Sequence, residues 1–279
     1  LNALENFNID TLGWNSTDYV HLLTEIAKRA YADRAQHLGD PDYWDNPRNM
    51  FLSKDYAKKR ISNIAMDSYT PSKEVYSGIY NDNEGTETTH YSVVDKQGNA
   101  VAITTTLNTN FGNKHVVEGA GFLLNNEMDD FSSKPGTANA WGLIGGKANA
   151  IEPNKRPLSS MTPTILMYNG QPIMTIGSPG GSKIITTILQ SILNVLVHDM
   201  DIKEAVCAPR FHHQWIPENT IYIESNGLSK DIITNLESRG HIIKTYGGGY
   251  MGVANGIIIS DDGLYGGGDC RNETSAIGY

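Results

Sequence analysis

Cysteine is scarce in this sequence, and its scarcity excludes two classes of protein. Only 2 of the 279 residues are cysteines, Cys207 and Cys270. Neither has a second cysteine or a histidine at the spacing of a zinc site, which argues against a metal module and a disulfide-rich scaffold. The pattern predicts two separate thiols. A single disulfide stays open, because it would require an oxidising compartment that the cysteine count cannot establish.

Positive charge and long apolar runs are also sparse. The chain has 22 Lys and Arg against 31 Asp and Glu, a formal net charge of -9, and no basic run. We therefore expect no nucleic-acid partner. The longest apolar stretch, Ile184 to Val197, is interrupted by polar residues and is too short to span a membrane. The chain does not begin with the charged and apolar regions of a signal peptide, so we expect any targeting peptide to have been removed or to lie outside this sequence.

What the sequence does contain is typical of a folded α+β protein of one or two domains. Apolar residues make up 39% and charged residues 19% of the chain. In the first 70 residues, Ser16 and Thr17 cap a predicted helix that ends near Gly39, and a second helix follows Ser53. Residues 69–87 are rich in turn formers and acids, which predicts an exposed connector and the best internal boundary.

Beyond the connector the pattern changes to strands that alternate with helices. Residues 88–94 and 100–107 form a predicted hairpin, and 164–168 and 172–176 form a second hairpin through Asn169-Gly170. A mostly buried helix from Ile184 follows. The remaining predicted elements are a strand at 221–224, a helix at 229–239, a strand at 241–245 and a final strand pair around 261–263.

The turn between the second hairpin and the buried helix is the first candidate for chemistry. It reads Gly177-Ser178-Pro179-Gly180-Gly181-Ser182. Glycines let the backbone approach a ligand, and free N–H groups at a helix start attract an anion or an oxyanion. The spacing does not fit a phosphate-binding loop, and Ile176 stands where a serine-hydrolase elbow needs glycine. A turn required only for close packing is the alternative interpretation.

Thr88, at the start of the first predicted hairpin, is the second candidate. A threonine that opens a strand becomes a nucleophile if the chain is cut before it, because the freed α-amino group then serves as its base. Ordinary strand sequence is the alternative. The histidines lack the spacing of metal ligands and are interpreted as structural; they include His90, His115, His212 and His213. We expect no metal and no cofactor.

Several blocks together resemble one family. They are TTHYSVVDKQGNAVAITTTLNTNFG (88–112), LLNNEMDDF (123–131), NKRPLSSMTPTI (154–165), GSPGGSKIITT (177–187) and APRFHHQW (208–215). In this order they are similar to gamma-glutamyltransferases, also called gamma-glutamyltranspeptidases or glutathione hydrolases. The resemblance implies an N-terminal-nucleophile hydrolase with a four-layer αββα sandwich, part of which would be missing from this chain.

The resemblance also implies a division of the chain and a catalytic set. Autocatalytic cleavage would fall between Glu87 and Thr88, so residues 1–87 would be the C-terminal part of a large subunit and 88–279 a small subunit. Thr88 would be the nucleophile, and Thr106 would orient its hydroxyl. The amides of Gly180 and Gly181 would form the oxyanion hole, which agrees with the interpretation of that turn from its residues.

The resemblance implies a set of substrate contacts as well. Glu127 and Asp130 would bind the α-amino group of the γ-glutamyl moiety, since carboxylates suit an ammonium. Ser159 and Ser160 would contact its α-carboxylate, Asn108 would touch the substrate, and Trp141 would lie in a lid, unless it only packs on the surface. The family's arginine that binds the α-carboxylate precedes this region and has no counterpart here.

The activity implied is hydrolysis of glutathione and other γ-glutamyl amides, and γ-glutamyl transfer to an amino-acid or dipeptide acceptor, through a threonyl ester. The implied partner is the N-terminal large-subunit segment, and the implied location is periplasmic or secreted in a bacterium. Two alternatives stay open. One is a cephalosporin acylase or a poly-γ-glutamate-processing enzyme on the same scaffold. The other is a non-catalytic fragment that binds γ-glutamyl or amino-acid ligands.

Overall fold

The structure is a computed structural model that describes residues 1–75, 88–139, 142–247 and 250–278. Its contacts divide the chain into two compact units, each built from three segments. The first unit comprises Leu1–Glu84, Met128–Ser159 and Phe211–Tyr246, and the second comprises Gly85–Glu127, Ser160–Arg210 and Gly247–Tyr279. The units are therefore interleaved along the chain. The division predicted at residues 87 and 88 concerns subunits and stays a prediction.

The predicted helices and strands are present close to their predicted bounds, and the described residues also form four short elements that the sequence did not predict, at 48–51, 72–75, 202–207 and 211–212. The helices are α1 (Thr17–His37), α2 (Arg48–Phe51), α3 (Lys54–Ile61), α4 (Ser72–Val75), α5 (Ile184–Leu196), α6 (Ile202–Cys207) and α7 (Lys230–Ser238). The strands are β1 (Thr89–Val94), β2 (Ala100–Thr105), β3 (Thr164–Tyr168), β4 (Gln171–Gly177), β5 (Phe211–His212), β6 (Thr220–Ile223), β7 (Ile242–Thr245), β8 (Asn255–Ser260) and β9 (Gly263–Gly268). Within these described ranges no helix is both long and apolar enough to cross a membrane.

The first unit is built around α1, which begins where the sequence predicts. The Ser16 hydroxyl caps the helix by accepting a hydrogen bond from the Tyr19 amide at 3.2 Å. Helix α1 packs against α4 and α7. A three-stranded sheet has the order β5-β6-β7, with β5 antiparallel and β7 parallel to β6. The parallel pair is joined through α7, as a parallel crossover requires.

Helix α1 buries charge as well as apolar surface. Glu25 is fully buried and accepts hydrogen bonds from Lys28 Nζ at 2.5 Å and from Arg29 at 2.7 Å. The Thr70 amide also donates to it at 3.1 Å. Burial by itself would raise the pKa of Glu25, but the two cations and the Thr70 hydrogen bond outweigh burial and lower the pKa to about 2. Glu25 is therefore the buried counter-charge of two buried cations, Lys28 and Arg29.

Residues 69–75 correct the prediction of an exposed connector. Thr70, Ser72 and Val75 are buried. The Ser72 hydroxyl donates to the Trp215 carbonyl at 2.7 Å, and the Trp215 indole donates back to the Ser72 carbonyl at 3.1 Å. The polar composition that suggested exposure instead supplies hydrogen bonds to the core of the first unit. Residues 76–87 of the predicted connector lie outside the described residues.

The second unit stacks three layers. The hairpin of β1 and β2 packs on a four-stranded sheet of order β3-β4-β8-β9, and helices α5 and α6 pack on that sheet. The core beneath the helices is aliphatic and consists of Met174, Ile176, Ile184, Ile188, Ile192, Ile202, Val206 and Ala254. The apolar positions of α5, four residues apart, face this core, as the sequence predicts. The hairpin, the four-stranded sheet and the two helices correspond to three successive layers of the predicted αββα sandwich.

We expect Glu25→Gln to destabilise the protein by about 3–5 kcal/mol, because it leaves Lys28 and Arg29 buried without their counter-charge. The wild-type protein should also lose stability in acid. Since the folded pKa of Glu25 lies near 2 and its ordinary value is 4.5, its contribution is complete above 4.5 and is lost as the pH falls toward 2. Urea unfolding between pH 7 and pH 3 measures both effects.

The matched control is Glu237→Gln, which changes an exposed glutamate of α7 and should alter the free energy of unfolding by less than about 0.5 kcal/mol. An equal, small effect of both substitutions would contradict the assignment of Glu25 as the buried counter-charge. A wild-type stability that does not fall between pH 4.5 and pH 3 would contradict it as well.

Candidate functional site

Thr88 immediately precedes β1, and Thr106 immediately follows β2. The register pairs Thr89 with Thr105, so Thr88 and Thr106 face each other one step further along the hairpin. The Thr88 hydroxyl donates to the Thr106 hydroxyl oxygen at 3.3 Å. The same oxygen of Thr106 accepts a hydrogen bond from the Asn108 amide at 2.8 Å. The two threonines predicted to act together are thus brought together by the antiparallel register.

Asn108 turns the chain away from the hairpin. Its φ is 73°, in the left-handed region that asparagine tolerates better than most residues. Its side chain is buried and donates to the Asn126 carbonyl at 3.1 Å. The Asn126 side chain in turn accepts from the Thr109 amide at 3.2 Å. Asn108 and Asn126 therefore join the segment after β2 to the segment before Glu127, and contact of Asn108 with a substrate stays a prediction.

The glycine-rich turn begins where β4 packs against the start of β1. A Cβ atom added to Gly177 would lie 2.1 Å from the His90 ring nitrogen Nδ1, so only glycine allows this approach. On the next strand, Gly177 pairs with Asn255, whose side-chain amide donates to the His90 carbonyl at 3.4 Å. Thr88 is two residues before His90, and Gly180 is three residues after Gly177. The packing therefore places the start of the hairpin beside the strand end from which the turn leaves.

The turn itself depends on glycine at two positions. Gly180 has a φ of 135° and Gly181 a φ of 56°, both in the region that favours glycine. A Cβ atom on Gly180 would also lie 3.1 Å from the Gly252 Cα atom. The Ser178 hydroxyl accepts a hydrogen bond from the Val253 amide at 3.0 Å. The segment around residues 252 and 253 therefore holds the turn from its far side.

His90 is a structural residue, in line with its interpretation from the sequence. The side chain is buried, with Nδ1 2.8 Å from the Thr104 hydroxyl and Nε2 3.0 Å from the Ser92 hydroxyl. Burial lowers the pKa of His90 to about 4, so the ring is neutral at pH 7. Because both ring nitrogens are bonded to hydroxyl groups, His90 is not placed to serve as a general base for Thr88.

Asp130 and Ser159 lie in the first unit, where Asn149 fixes the backbone around them. The Asn149 side-chain amide donates to the Asp130 carbonyl at 2.6 Å, and its oxygen accepts from the Leu158 amide at 2.9 Å. Arg34 donates to the Ser159 carbonyl at 3.3 Å. Arg34, Asp130, Asn149 and Leu158 also line a cavity of about 20 Å³, enough for one water molecule.

The Arg34 guanidinium is part of the same cluster. Burial lowers the pKa of Arg34, while Tyr31 and Asp130 act in the opposite direction. Nothing in the sequence indicates that Arg34 donates a hydrogen bond to Ser159, which lies 125 residues away. Asn149 was missed for the same reason, because each of its partners belongs to a different stretch of the chain.

The remaining predicted residues lie in the second unit or outside the described ranges. The amide of Glu127 donates to the Asn125 side chain at 3.0 Å, and the carbonyl of Ser160 accepts from the Thr162 hydroxyl at 3.0 Å. Their substrate contacts stay predictions. Glu87, on the predicted cleavage site, and Trp141, the predicted lid residue, both lie outside the described residues.

Comparison with known proteins gives one consistent family. The family model described as gamma-glutamyltranspeptidase matches residues 1–279. The glutathione hydrolase proenzyme of Escherichia coli (strain K12) is 47% identical over 273 residues, which cover 98% of this chain and 46% of that protein. This chain thus spans about half the length of the curated relatives it matches.

Two solved structures bear on the fold. Gamma-glutamyltranspeptidase from Pseudomonas nitroreducens, complexed with L-DON, is 45% identical with a TM-score of 0.66, and the match covers 68% of this chain and 99% of that chain. Cephalosporin acylase from Bacillus halodurans is 25% identical with a TM-score of 0.78, and the match covers 100% of this chain and 49% of that chain. These similarities confirm the predicted α+β sandwich.

We expect Asn149→Ala to destabilise the protein by about 2–4 kcal/mol, because it leaves the Asp130 carbonyl and the Leu158 amide without their side-chain partner. The exposed Asn235 of α7 offers the same substitution as a control, with an expected change below about 0.5 kcal/mol. Urea unfolding measures both. Equal effects of the two substitutions would show that Asn149 does not hold these segments together.

Proposed function

Because this chain belongs to the gamma-glutamyltranspeptidase family, we propose that it provides the nucleophile for hydrolysis and transfer of γ-glutamyl groups from glutathione and other γ-glutamyl amides. Its fold is that of the N-terminal-nucleophile hydrolases. The observation that carries the proposal is the hydrogen bond between the hydroxyls of Thr88 and Thr106 at 3.3 Å. The two threonines lie at the end of the hairpin of β1 and β2 that packs against the end of β4, where the glycine-rich turn begins.

Maturation would precede turnover. In the uncut chain the nitrogen of Thr88 is an amide and cannot act as a base. The Thr88 hydroxyl would attack the carbonyl carbon of Glu87, the acyl group would shift from nitrogen to oxygen, and water would hydrolyse the ester. The products are a carboxylate on Glu87 and a free amino group on Thr88.

Two comparisons support this cleavage. The Escherichia coli relative is named a proenzyme. Nearly the whole Pseudomonas nitroreducens chain matches this protein, and the match covers 68% of the present chain. The segment from Thr88 to Tyr279 is about two-thirds of the present chain. A separate polypeptide of that size is what a cut before Thr88 would produce.

Turnover would use the same hydroxyl with its new base. The freed amino group of Thr88 would take the hydroxyl proton as the oxygen attacks the γ-carbonyl carbon of the substrate. The amides of Gly180 and Gly181 would stabilise the developing oxyanion, an interaction for which loss of one donor typically costs about 10²–10³ in rate. The amine then leaves with a proton, and a γ-glutamyl ester on Thr88 results. Water yields glutamate, whereas an amino acid or dipeptide yields a new γ-glutamyl product.

Recognition of the amino-acid head group is assigned to four polar residues. Glu127 and Asp130 would bind the α-ammonium, and Ser159 and Ser160 the α-carboxylate. Asn149 and Arg34 support this assignment for the first unit, because they hold the backbone at Asp130 and Ser159. The relatives are about twice as long as this chain, so we propose that the further large-subunit segment is its partner.

An acylase on the same scaffold is the second candidate. It is favoured by the cephalosporin acylase of Bacillus halodurans, whose likeness extends over the whole chain with a TM-score of 0.78. Such an enzyme would share the nucleophile and the oxyanion turn but would not require an α-amino group on its substrate. The two candidates therefore differ in the head group that they accept.

We expect the complete polypeptide that contains this chain to yield a fragment whose first residue is Thr88. Thr88→Ala should leave the polypeptide uncut and inactive, since it removes the attacking oxygen. Thr88→Ser should retain cleavage at a reduced rate, because serine keeps the hydroxyl. Intact mass and N-terminal sequencing measure these outcomes. An uncut wild-type protein that turns over substrate, or cleavage in Thr88→Ala, would exclude the proposed nucleophile.

The head-group assignment predicts a preference that distinguishes the two candidates. The matured enzyme should cleave a γ-glutamyl anilide and leave a glutaryl anilide, which lacks the α-amino group, nearly uncut. Asp130→Asn should raise KM for the γ-glutamyl substrate about tenfold or more, because a charged hydrogen bond is worth about 1.5–3 kcal/mol. Comparable kcat/KM for the two anilides in the wild-type enzyme would favour the acylase candidate instead.

A further inference from the structure

Cys207 and Cys270 are neighbours in the second unit, although 63 residues separate them in the chain. Cys207 is the last residue of α6, and Cys270 follows the end of β9. Their sulfur atoms lie within 4.8 Å of each other, and the Cys270 thiol is 3.9 Å from the Cys207 carbonyl oxygen. Both are free thiols. The two cysteines are unbonded thiols, as predicted, but they are adjacent, which the sequence did not indicate.

Charged hydrogen bonds on both sides of the cysteines fix this proximity. The Arg271 guanidinium donates to the carbonyls of Val206 at 2.9 Å and Ala208 at 2.7 Å, which flank Cys207. Arg271 follows Cys270 directly. On the other side of Cys270, Asp269 is fully buried and accepts from Arg210 at 2.6 Å. These hydrogen bonds join the backbone around Cys207 to the backbone around Cys270. The two backbone segments, and not only the side-chain rotamers, therefore keep the thiols close together.

A metal ion is the less favoured occupant of this cluster. Asp269 lies close enough to the two sulfur atoms to complete a three-ligand set. However, its Oδ2 accepts from Arg210 and from the Ala254 amide at 2.7 Å, and its Oδ1 accepts from the Arg271 side chain at 2.9 Å. Two guanidinium groups therefore occupy the carboxylate and repel a further cation. Among the residues that the structure describes, the two thiols are therefore left without a third group that is available to a metal.

We propose that Cys207 and Cys270 form an oxidisable dithiol that closes to an intramolecular disulfide by exchange with a small-molecule disulfide. Cys270 is exposed and reacts first: its thiolate attacks one sulfur of the small molecule, that S–S bond breaks, and a small thiolate leaves. Cys207 then loses its proton to solvent and attacks the sulfur of Cys270, which releases the second small thiolate. Two protein thiols are oxidised, and one disulfide is reduced to two thiols.

The environments of the two thiols support this order. Cys207 is only partly exposed, and burial, followed by the neighbouring Cys270, raises the pKa of its thiol. A protonated, partly covered thiol reacts slowly with a molecule from solution. It is nevertheless within 4.8 Å of the sulfur it must attack, where the effective concentration is high. Cys207 is therefore suited to resolve the mixed disulfide rather than to form it.

The test uses the full chain with 2-hydroxyethyl disulfide, which contains no γ-glutamyl group and so is independent of the proposed activity. Both cysteines follow Thr88, so cleavage there would leave them on one fragment. After oxidation, denaturation and alkylation with iodoacetamide, the expected wild-type product is a monomer with no alkylated thiol. Non-reducing peptide mapping should show the Cys207 and Cys270 peptides joined.

Single substitutions serve as controls. Cys207→Ser should stop at a mixed disulfide with one mercaptoethanol group, and Cys270→Ser should react at least tenfold more slowly. Two mercaptoethanol groups on the wild-type protein, a covalent dimer, or two alkylated thiols would each overturn the proposal. Protection of both thiols from alkylation by added Zn²⁺ alone, without oxidant, would show a metal site in its place.

Discussion

The candidate site depends on one steric constraint, the absence of a side chain at Gly177. Because nothing projects from this residue, the buried His90 ring packs directly on the end of β4. That contact sets the hairpin of β1 and β2 against the four-stranded sheet at the point where the glycine-rich turn leaves it. Two hydroxyl groups hold the His90 ring, and the Asn255 side-chain amide donates a hydrogen bond to the His90 backbone carbonyl. A larger residue at 177 would separate β1, which directly follows Thr88, from the turn that contains Gly180.

Neighbouring backbone segments hold the glycine-rich turn in place. Gly180 and Gly181 adopt conformations that other residues rarely reach, and Gly252 lies against Gly180. Arg210 donates to the Gly252 carbonyl at 3.0 Å and to Asp269, which in turn accepts from the Ala254 amide. An oxyanion hole is effective when its donors are fixed before the reaction. The buried ion pair of Arg210 and Asp269 holds the segment that packs against the turn, and the cysteine pair borders this ion pair.

Local patterns in the sequence predicted the elements well, because the interactions that define them are local. The Ser16 cap, the Asn169-Gly170 hairpin and the apolar faces of α5 all depend on residues within a few positions of each other. The resemblance to a family then linked distant blocks that no periodicity could link. Residues 69–75 were assigned wrongly because Ser72 exchanges hydrogen bonds with Trp215, which lies far along the chain. The adjacency of Cys207 and Cys270 was missed because 63 residues separate them, and the role of Asn149 was missed because its partners belong to two other segments. The charged partners of Glu25 are only three and four residues away, but the spacing alone does not show that all three side chains are buried.

Covalent capture of the nucleophile by an electrophilic glutamine analogue on the matured complete protein, followed by peptide mapping, tests the proposed role of Thr88. A single adduct is expected on Thr88, at the new amino terminus, and little or none when Thr106 is replaced by alanine. An adduct on another residue, or full labelling of a protein whose Thr88 is still joined to Glu87, would contradict this role.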